Sequence, residues 1–279
     1  MQNTVHILNG DSTIRSIEKG GIIGDTIIWR EMLVEGPLHQ DIGSDAFWLQ
    51  RYSFFENELG VSKLDYYDKT IKELIRIEDL SNYNEVVLWF EFDLFCQINL
   101  IALCTYLLQS YRKNINYYLV CSGKVKGEKQ LRSLADYAPE EYPELLENKI
   151  KLSRHNLLYA QQCWNVYVTN NKEELAQFNF NKSTKFRYLE SAINQHLKRF
   201  SQKNGLNQID TKIIEIIHAG IGEKKAIVNE LLRWQQHETV YGFGDLQYFK
   251  YLENMKMYYT IKNENYSLNA LGKTFISNT

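Results

Sequence analysis

No basic segment followed by a long apolar stretch stands near the start, MQNTVHILNGDS, so no secretory signal peptide is expected. No apolar run reaches membrane length either. The richest, Asn99 to Leu108, is broken by Cys104 and Thr105 and has Gln97 and Gln109 at its ends, which excludes a spanning helix. Cysteine is sparse. Cys96, Cys104, Cys121 and Cys163 lie far apart without a CxxC pair, which argues against a disulfide or zinc framework. Reduced, buried thiols in a cytoplasmic protein are the expectation. Internal repeats and low-complexity tracts are missing, and so is a large excess of one charge, since the net charge is −2.

What remains is an ordinary globular composition, 44% hydrophobic and 24% charged, which excludes long disorder. Aromatic residues reach 13%, with 19 tyrosines that can fill a core or line a polar pocket. The charge is uneven. Residues 1–180 hold 18 Lys and Arg against 25 Asp and Glu, a net of −7, whereas residues 181–279 hold 14 against 9, a net of +5. The basic tail permits an anionic partner without requiring one.

Hydrophobic patterning predicts alternating strands and helices in the first part. Val5 to Leu8 reads as a strand, Thr13 to Lys19 as a helix closed by Gly20 and Gly21, and Asp25 to Trp29 as a second strand. Trp48, Tyr52, Phe55 and Leu59 mark a helix capped by Ser44. Leu64, Tyr67, Ile71, Leu74 and Ile75 mark another, with Ser62 and Asp65 at capping-box spacing. Glu85 to Phe90 is a continuous apolar strand suited to a parallel sheet buried on both faces. A helix through Leu94, Ile98, Ile101, Thr105 and Leu108 follows, then a fourth strand, Asn116 to Val120. This order predicts an α/β fold, with a Rossmann-like parallel sheet of about four strands and flanking helices over residues 1–125. Residues 126–180 read as a mainly helical extension, with Trp164 to Val168 open to a strand assignment.

Residues 181–279 read as a separate winged-helix-like domain. Helix faces are expected at Phe186, Leu189, Ile193, Leu197 and Phe200; at Ile209, Ile213, Ile216 and Ile217; at Ile227, Leu231 and Trp234; and at Leu246, Phe249 and Leu252. A hairpin then turns at Asn263 to Asn265, and helices before a hairpin wing are the winged-helix order. Gln247, Tyr248, Lys250, Tyr251 and Asn254 are the expected outward residues of the last helix, with Lys262 on the wing. That is little positive charge for neutralising phosphates, so nucleic-acid binding is only weakly supported.

Parallel α/β sheets bind ligands beyond the carboxyl ends of their strands, and three strand ends here are polar. They carry Gly10, Asp11 and Ser12; Arg30, Glu31 and Glu35; and Glu91, Asp93 and Gln97. One reading makes Asp11, Glu91 and Asp93 catalytic, with Glu31 beside them, either holding a hard divalent cation or supplying a general base. Ser12, Arg30, Glu31, Glu35 and Gln97 would then contact an anionic or nucleotide-like substrate undergoing hydrolysis or transfer. The other reading gives Asp11, Ser12 and Asp93 to helix caps and Arg30 to an ion pair with Glu31 or Glu91. His6 is expected to be a satisfied core histidine. Gly10-Asp11-Ser12 also matches the first block of the GDSL hydrolases, with Ser12 as nucleophile, but the Asp-x-x-His and Gly-x-Asn-Asp blocks of that family are absent.

Four strings in order, HILNGDS (His6 to Ser12), WREMLVEGP (Trp29 to Pro37), LWFEFDLFCQ (Leu88 to Gln97) and RFSQKNGL (Arg199 to Leu206), resemble the domain-of-unknown-function 1835 family. Its members often carry a further uncharacterised C-terminal domain, and the resemblance spans most of the chain. It implies a site at Gly10, Asp11 and Ser12, at Glu35, Gly36 and Pro37, and at Trp89, Glu91, Asp93 and Gln97. Many members carry His where Phe92 stands and Asp where Cys96 stands, which implies altered or lost activity here if those positions are catalytic in the family.

Overall fold

The computed structural model describes residues 3–276 of the chain. The chain divides into two compact units, residues 1–190 and 191–279. The first is built on a five-stranded sheet of order β2-β1-β3-β4-β5. Its strands are β1 (Thr4–Asn9), β2 (Asp25–Trp29), β3 (Glu85–Phe90), β4 (Asn116–Cys121) and β5 (Ile150–Leu152). β1 to β4 are mutually parallel, and β5 runs antiparallel along β4. β5 is the strand that periodicity does not predict. Ile150-Lys151-Leu152 is too short to alternate recognisably, and only its pairing with Tyr117 to Leu119 defines it.

β3 is buried along its whole length, as its unbroken apolar run demands. Its one charged residue, Glu85, is held 3.3 Å from Lys149. Side chains from Leu8, Ile28, Val87, Trp89 and Val120 form one sheet face, packed against Ile17 of α1 (Ile14–Lys19), Leu134 and Tyr142. Tyr142 opens α6 (Tyr142–Glu147). His6 is buried on that face in its neutral form. Its Nδ1 accepts from Trp89 Nε1 at 3.1 Å, and its Nε2 lies 3.3 Å from the Ile23 carbonyl. Burial lowers its titration from the usual histidine value.

Between β2 and β3 run α2 (Asp45–Leu59), capped by Ser44 through the Phe47 amide, then α3 (Lys63–Tyr66) and α4 (Lys72–Leu74). A π-helical turn, Tyr67–Ile71, separates the last two. It corrects the expected stripe: Leu64 is 70% exposed, and Tyr67 and Ile75 also face solvent, while Tyr66, Ile71, Leu74 and Ile77 point inward. The wider turn rotates the face by about one residue. Glu73 accepts from the Ile28 amide, and Arg76 donates to the Thr26 carbonyl, so this segment covers the open edge of β2.

α5 (Leu94–Gln109) is buried on nearly every side and packs along α7 (Arg154–Thr169). Trp164 to Val168 therefore belongs to a helix. α8 (Lys172–Gln177) is the last helix wholly within the first unit, and α9 (Leu189–Leu197) starts just before the division and lies mostly in the second.

The second unit contains α10 (Gln208–His218), α11 (Lys224–Glu238), α12 (Asp245–Asn254), the hairpin β6 (Tyr259–Lys262) and β7 (Asn265–Leu268), and α13 (Ala270–Thr274). Ile209, Ile213, Ile217, Ile227, Leu231, Trp234, Tyr248 and Leu252 form its interior. β7 also bridges to Glu223, and the Tyr266 amide donates to the Gly222 carbonyl. A Cβ on Gly222 would lie 2.8 Å from the Tyr266 carbonyl oxygen, a backbone atom that cannot swing aside, so the close approach calls for glycine. The expected faces of α12 need correction. Leu246 is 47% exposed, whereas Tyr248 and Gln247, expected outside, are buried. No helix among the described residues is long and apolar enough to cross a membrane.

Candidate functional site

Strand order reverses between β1 and β3, because β2 lies on the far side of β1 while β4 follows β3. Open parallel sheets leave a crevice at the carboxyl ends of such neighbours, where their following helices depart to opposite sides. Asn9 is level with Trp29, and Leu8 with Trp89, so the polar loops after β1, β2 and β3 emerge along one edge. Gly10 makes the first turn at φ 91°, its amide donating to the carbonyls of Leu8 and Trp29. No atom would obstruct a Cβ there, so the backbone angle alone calls for glycine.

Asp11 and Arg30 meet at this edge. Arg30 Nη2 and Nε donate to the Asp11 carboxylate at 2.7 and 2.9 Å, and Nη1 donates to the Lys69 carbonyl at 2.7 Å. The guanidinium holds the Asp11 carboxyl below the usual carboxylate range. Their side chains are 58% and 29% exposed, so this is an accessible fork rather than a core pair. Ser12 is exposed beside it.

Glu31 goes elsewhere. It is fully buried and paired at 2.9 Å with Arg51 of α2, and the Tyr66 hydroxyl donates to its other oxygen. Arg51 also donates to the carbonyls of Met32, Glu35 and Pro37, which fixes the loop that contains Glu35. Asn99 joins this loop to the sheet. Its amide nitrogen donates to Glu31 O and Asn9 Oδ1, both at 2.8 Å, and its oxygen accepts from the Leu33 amide. Sequence spacing gives no sign of Arg51 or Asn99. Arg51 is one of several charges on an amphipathic helix, and Asn99 interrupts an apolar one.

Glu91 and Asp93 stand together at the end of β3. Asp93 caps α5 by accepting from the Cys96 amide at 2.8 Å, and Glu91 accepts from the Leu134 amide at 2.8 Å. Glu91, Asp93 and Cys96 each present an atom within 4.8 Å of the others. Burial first, then the charge of Asp93, pushes the Glu91 carboxyl up to about 7, and burial raises Asp93 as well. Two carboxyls so close share a proton in preference to ionising together. The Cys96 thiol is pushed well above its ordinary range by burial and by these acids, so on its own it is no thiolate nucleophile. Asn9 Nδ2 donates to Cys96 Sγ at 3.0 Å.

Gln97 completes this cluster. Its Nε2 donates to the Glu91 carbonyl at 2.6 Å and lies 3.6 Å from Cys121 Sγ. Its Oε1 is buried without a hydrogen-bond partner, as are Trp29 Nε1, Thr13 Oγ1 and Ser122 Oγ. These four residues follow or end β3, β2, β1 and β4. Such atoms are costly to bury and mark sites for an additional partner. Phe92, edge-on to Tyr188 at 6.3 Å, borders the cluster, and Arg187 lies over the Tyr188 ring and close enough to act on the Cys121 thiol.

Of the expected residues, the structure gathers Glu91, Asp93 and Gln97, joins Asp11 to Arg30, and assigns Glu31 to a buried network that includes the Glu35 carbonyl. Arg30 pairs with Asp11, not with Glu31 or Glu91. Asn9 and Ser122 are the additions, and Cys96, marked in the sequence only as the position where the resembled family carries Asp, joins the two carboxyls as a third donor. Comparison with known families finds none whose model matches the chain, and comparison with curated proteins finds no relative.

Proposed function

We propose that residues 1–190 form a Rossmann-like unit that binds a phosphate-bearing or nucleotide-like small molecule at the β1/β3 edge and carries out hydrolysis or group transfer on it. The observation that carries this reading is the reversal of strand order, with Asp11 and Arg30 on one flank and the Glu91–Asp93 pair on the other. The Arg30 fork is presented to an anion by an exposed Asp11 that a phosphate oxygen can replace. Arg187 supplies a second cation at the rim, and Phe92 and Tyr188 supply an aromatic wall. The Glu91–Asp93 pair sets two acidic groups at the end of β3 beside that ligand. The resemblance to the domain-of-unknown-function 1835 family is part of this proposal and adds no chemistry to it.

Calorimetric titration of the full chain with adenosine monophosphate tests the reading. Saturable binding that weakens at least tenfold in Arg30→Ala supports it; no binding, or equal binding by the variant, refutes it.

The topology of residues 208–276 favours a second reading for the other unit. Helix, bridge at Glu223, two helices and a hairpin follow the winged-helix order. On α12, however, Asp245, Leu246, Lys250, Glu253 and Asn254 are exposed, a mixed surface that suits packing better than phosphate neutralisation. Salt-dependent DNA binding weakened by Lys250→Ala and Lys262→Ala would support a regulator; its absence leaves the domain a structural role.

A further inference from the structure

We propose that Glu91, Asp93 and Cys96, with the Gln97 amide oxygen, hold a divalent transition-metal ion such as zinc. This rests on the edge site proposed above and specifies the cofactor there. Asp11, a candidate ligand on sequence grounds, is left out, since both of its oxygens are engaged by Arg30.

Three independent features converge on this cluster. The first is the donor set, two carboxylates and one sulfur within 4.8 Å. Tetrahedral zinc with oxygen and sulfur ligands needs donor atoms roughly 3.3–3.7 Å apart, so closing on the ion takes about 1 Å of side-chain movement. A thiolate selects zinc, cobalt or iron over magnesium and calcium, which prefer oxygen alone.

The second feature is Gln97. It is 1% exposed, and its Oε1 has no partner. Its amide is wedged between the Glu91 carbonyl and the Cys121 thiol, and that thiol in turn feels the charges of Asp93 and Glu91. The unpartnered oxygen is carried by an amide that touches the end of this cluster, and a cation there would satisfy it.

The third is the outer support. Each donor is already oriented by an N–H from a different segment: Leu134 N to Glu91, Cys96 N to Asp93, and Asn9 Nδ2 to Cys96 Sγ. Such hydrogen bonds fix ligands in metal sites, and a donor on sulfur favours its thiolate form. The two carboxyls also hydrogen-bond one another, a contact that the ion would replace. On binding, the Cys96 S–H bond breaks, its proton passes to solvent, and the sulfur pair forms the bond to the ion. The proton shared by Glu91 and Asp93 leaves in the same step.

Divalent cobalt is the direct probe, since cobalt bound to a thiolate gives an intense near-ultraviolet charge-transfer band. The full chain, freed of metal by chelation, should develop that band and saturate at one cobalt per chain. Cys96→Ser should abolish it, Cys121→Ser should retain it, and Glu91→Gln, at a partly buried position, should weaken cobalt binding at least tenfold while circular dichroism confirms the fold. A wild-type chain that shows no band overturns the proposal, and so does a band that survives in Cys96→Ser or disappears in Cys121→Ser. Adenosine monophosphate titrated in the presence of chelator reads the small-molecule site separately. Nucleotide binding without a cobalt band refutes the metal centre alone.

Discussion

At the scale of single residues, Glu91 is a carboxyl strongly altered by its surroundings. Its carboxyl, ordinarily near 4.5, is raised to about 7 by burial and by Asp93. The fold thus favours the protonated form. Its contribution to stability is full below the unfolded value and is lost as pH rises through the folded one. Glu91→Gln, permanently neutral, should therefore gain in melting temperature relative to wild type between about pH 5 and about pH 8, with chelator present. A difference independent of pH would contradict this. Arg51 makes the opposite case. It is fully buried against Glu31, and removing one partner of such a pair leaves an uncompensated charge. Arg51→Met should cost about 3–5 kcal/mol in urea unfolding, and adding Glu31→Gln should recover part of that loss. Equal stability of the single and double variants would show that Glu31 is not the reason for the cost. His6 adds a third test. Because burial lowers its titration, its neutral form stabilises the fold, and that contribution is lost as pH falls below the ordinary histidine range. His6→Gln should flatten the stability profile there, as read by thermal melts across that range.

At the scale of elements, α5 joins the architecture to the site. Asp93 both caps this helix and belongs to the acidic cluster, and the two roles are separable. Asparagine also caps, so Asp93→Asn should stay within about 1 kcal/mol of wild type in chelator, whereas Asp93→Ala should lose about 1 kcal/mol more. Matching losses in thermal unfolding would show that charge, not the cap, governs this position. Elements with strong patterns were legible in the sequence. β3 is a continuous apolar run, and Ser44 and Ser62 cap the helices they precede. Phase was less legible. The π-helical turn at Tyr67–Ile71 and the buried Tyr248 on α12 shift an apolar face by a residue, and neither leaves a mark in composition. β5 escaped notice because three residues cannot display a period of two, and its partner strand supplies the information.

At the scale of the whole molecule, the site depends on the order of the strands, which no local pattern encodes. The sequence marked Asp11, Arg30, Glu31, Glu91 and Asp93 as residues that follow strands, but each strand's neighbours are fixed by long-range pairing. Once formed, the sheet sorts these residues. Glu31 faces Arg51 in a fully buried pair, Asp11 and Arg30 stay open, and Glu91, Asp93, Cys96 and Gln97 lie together at the end of β3. Sequence alone lists the charges; the sheet decides which of them feel each other.

The central claim, that the β1/β3 edge binds a phosphate-bearing ligand, is tested most directly by mapping amide chemical shifts of the full chain during titration with adenosine monophosphate. Perturbations should concentrate at Gly10, Asp11, Arg30, Phe92 and Ser122. An unchanged spectrum at those positions, or shifts confined to residues 191–279, would contradict the account.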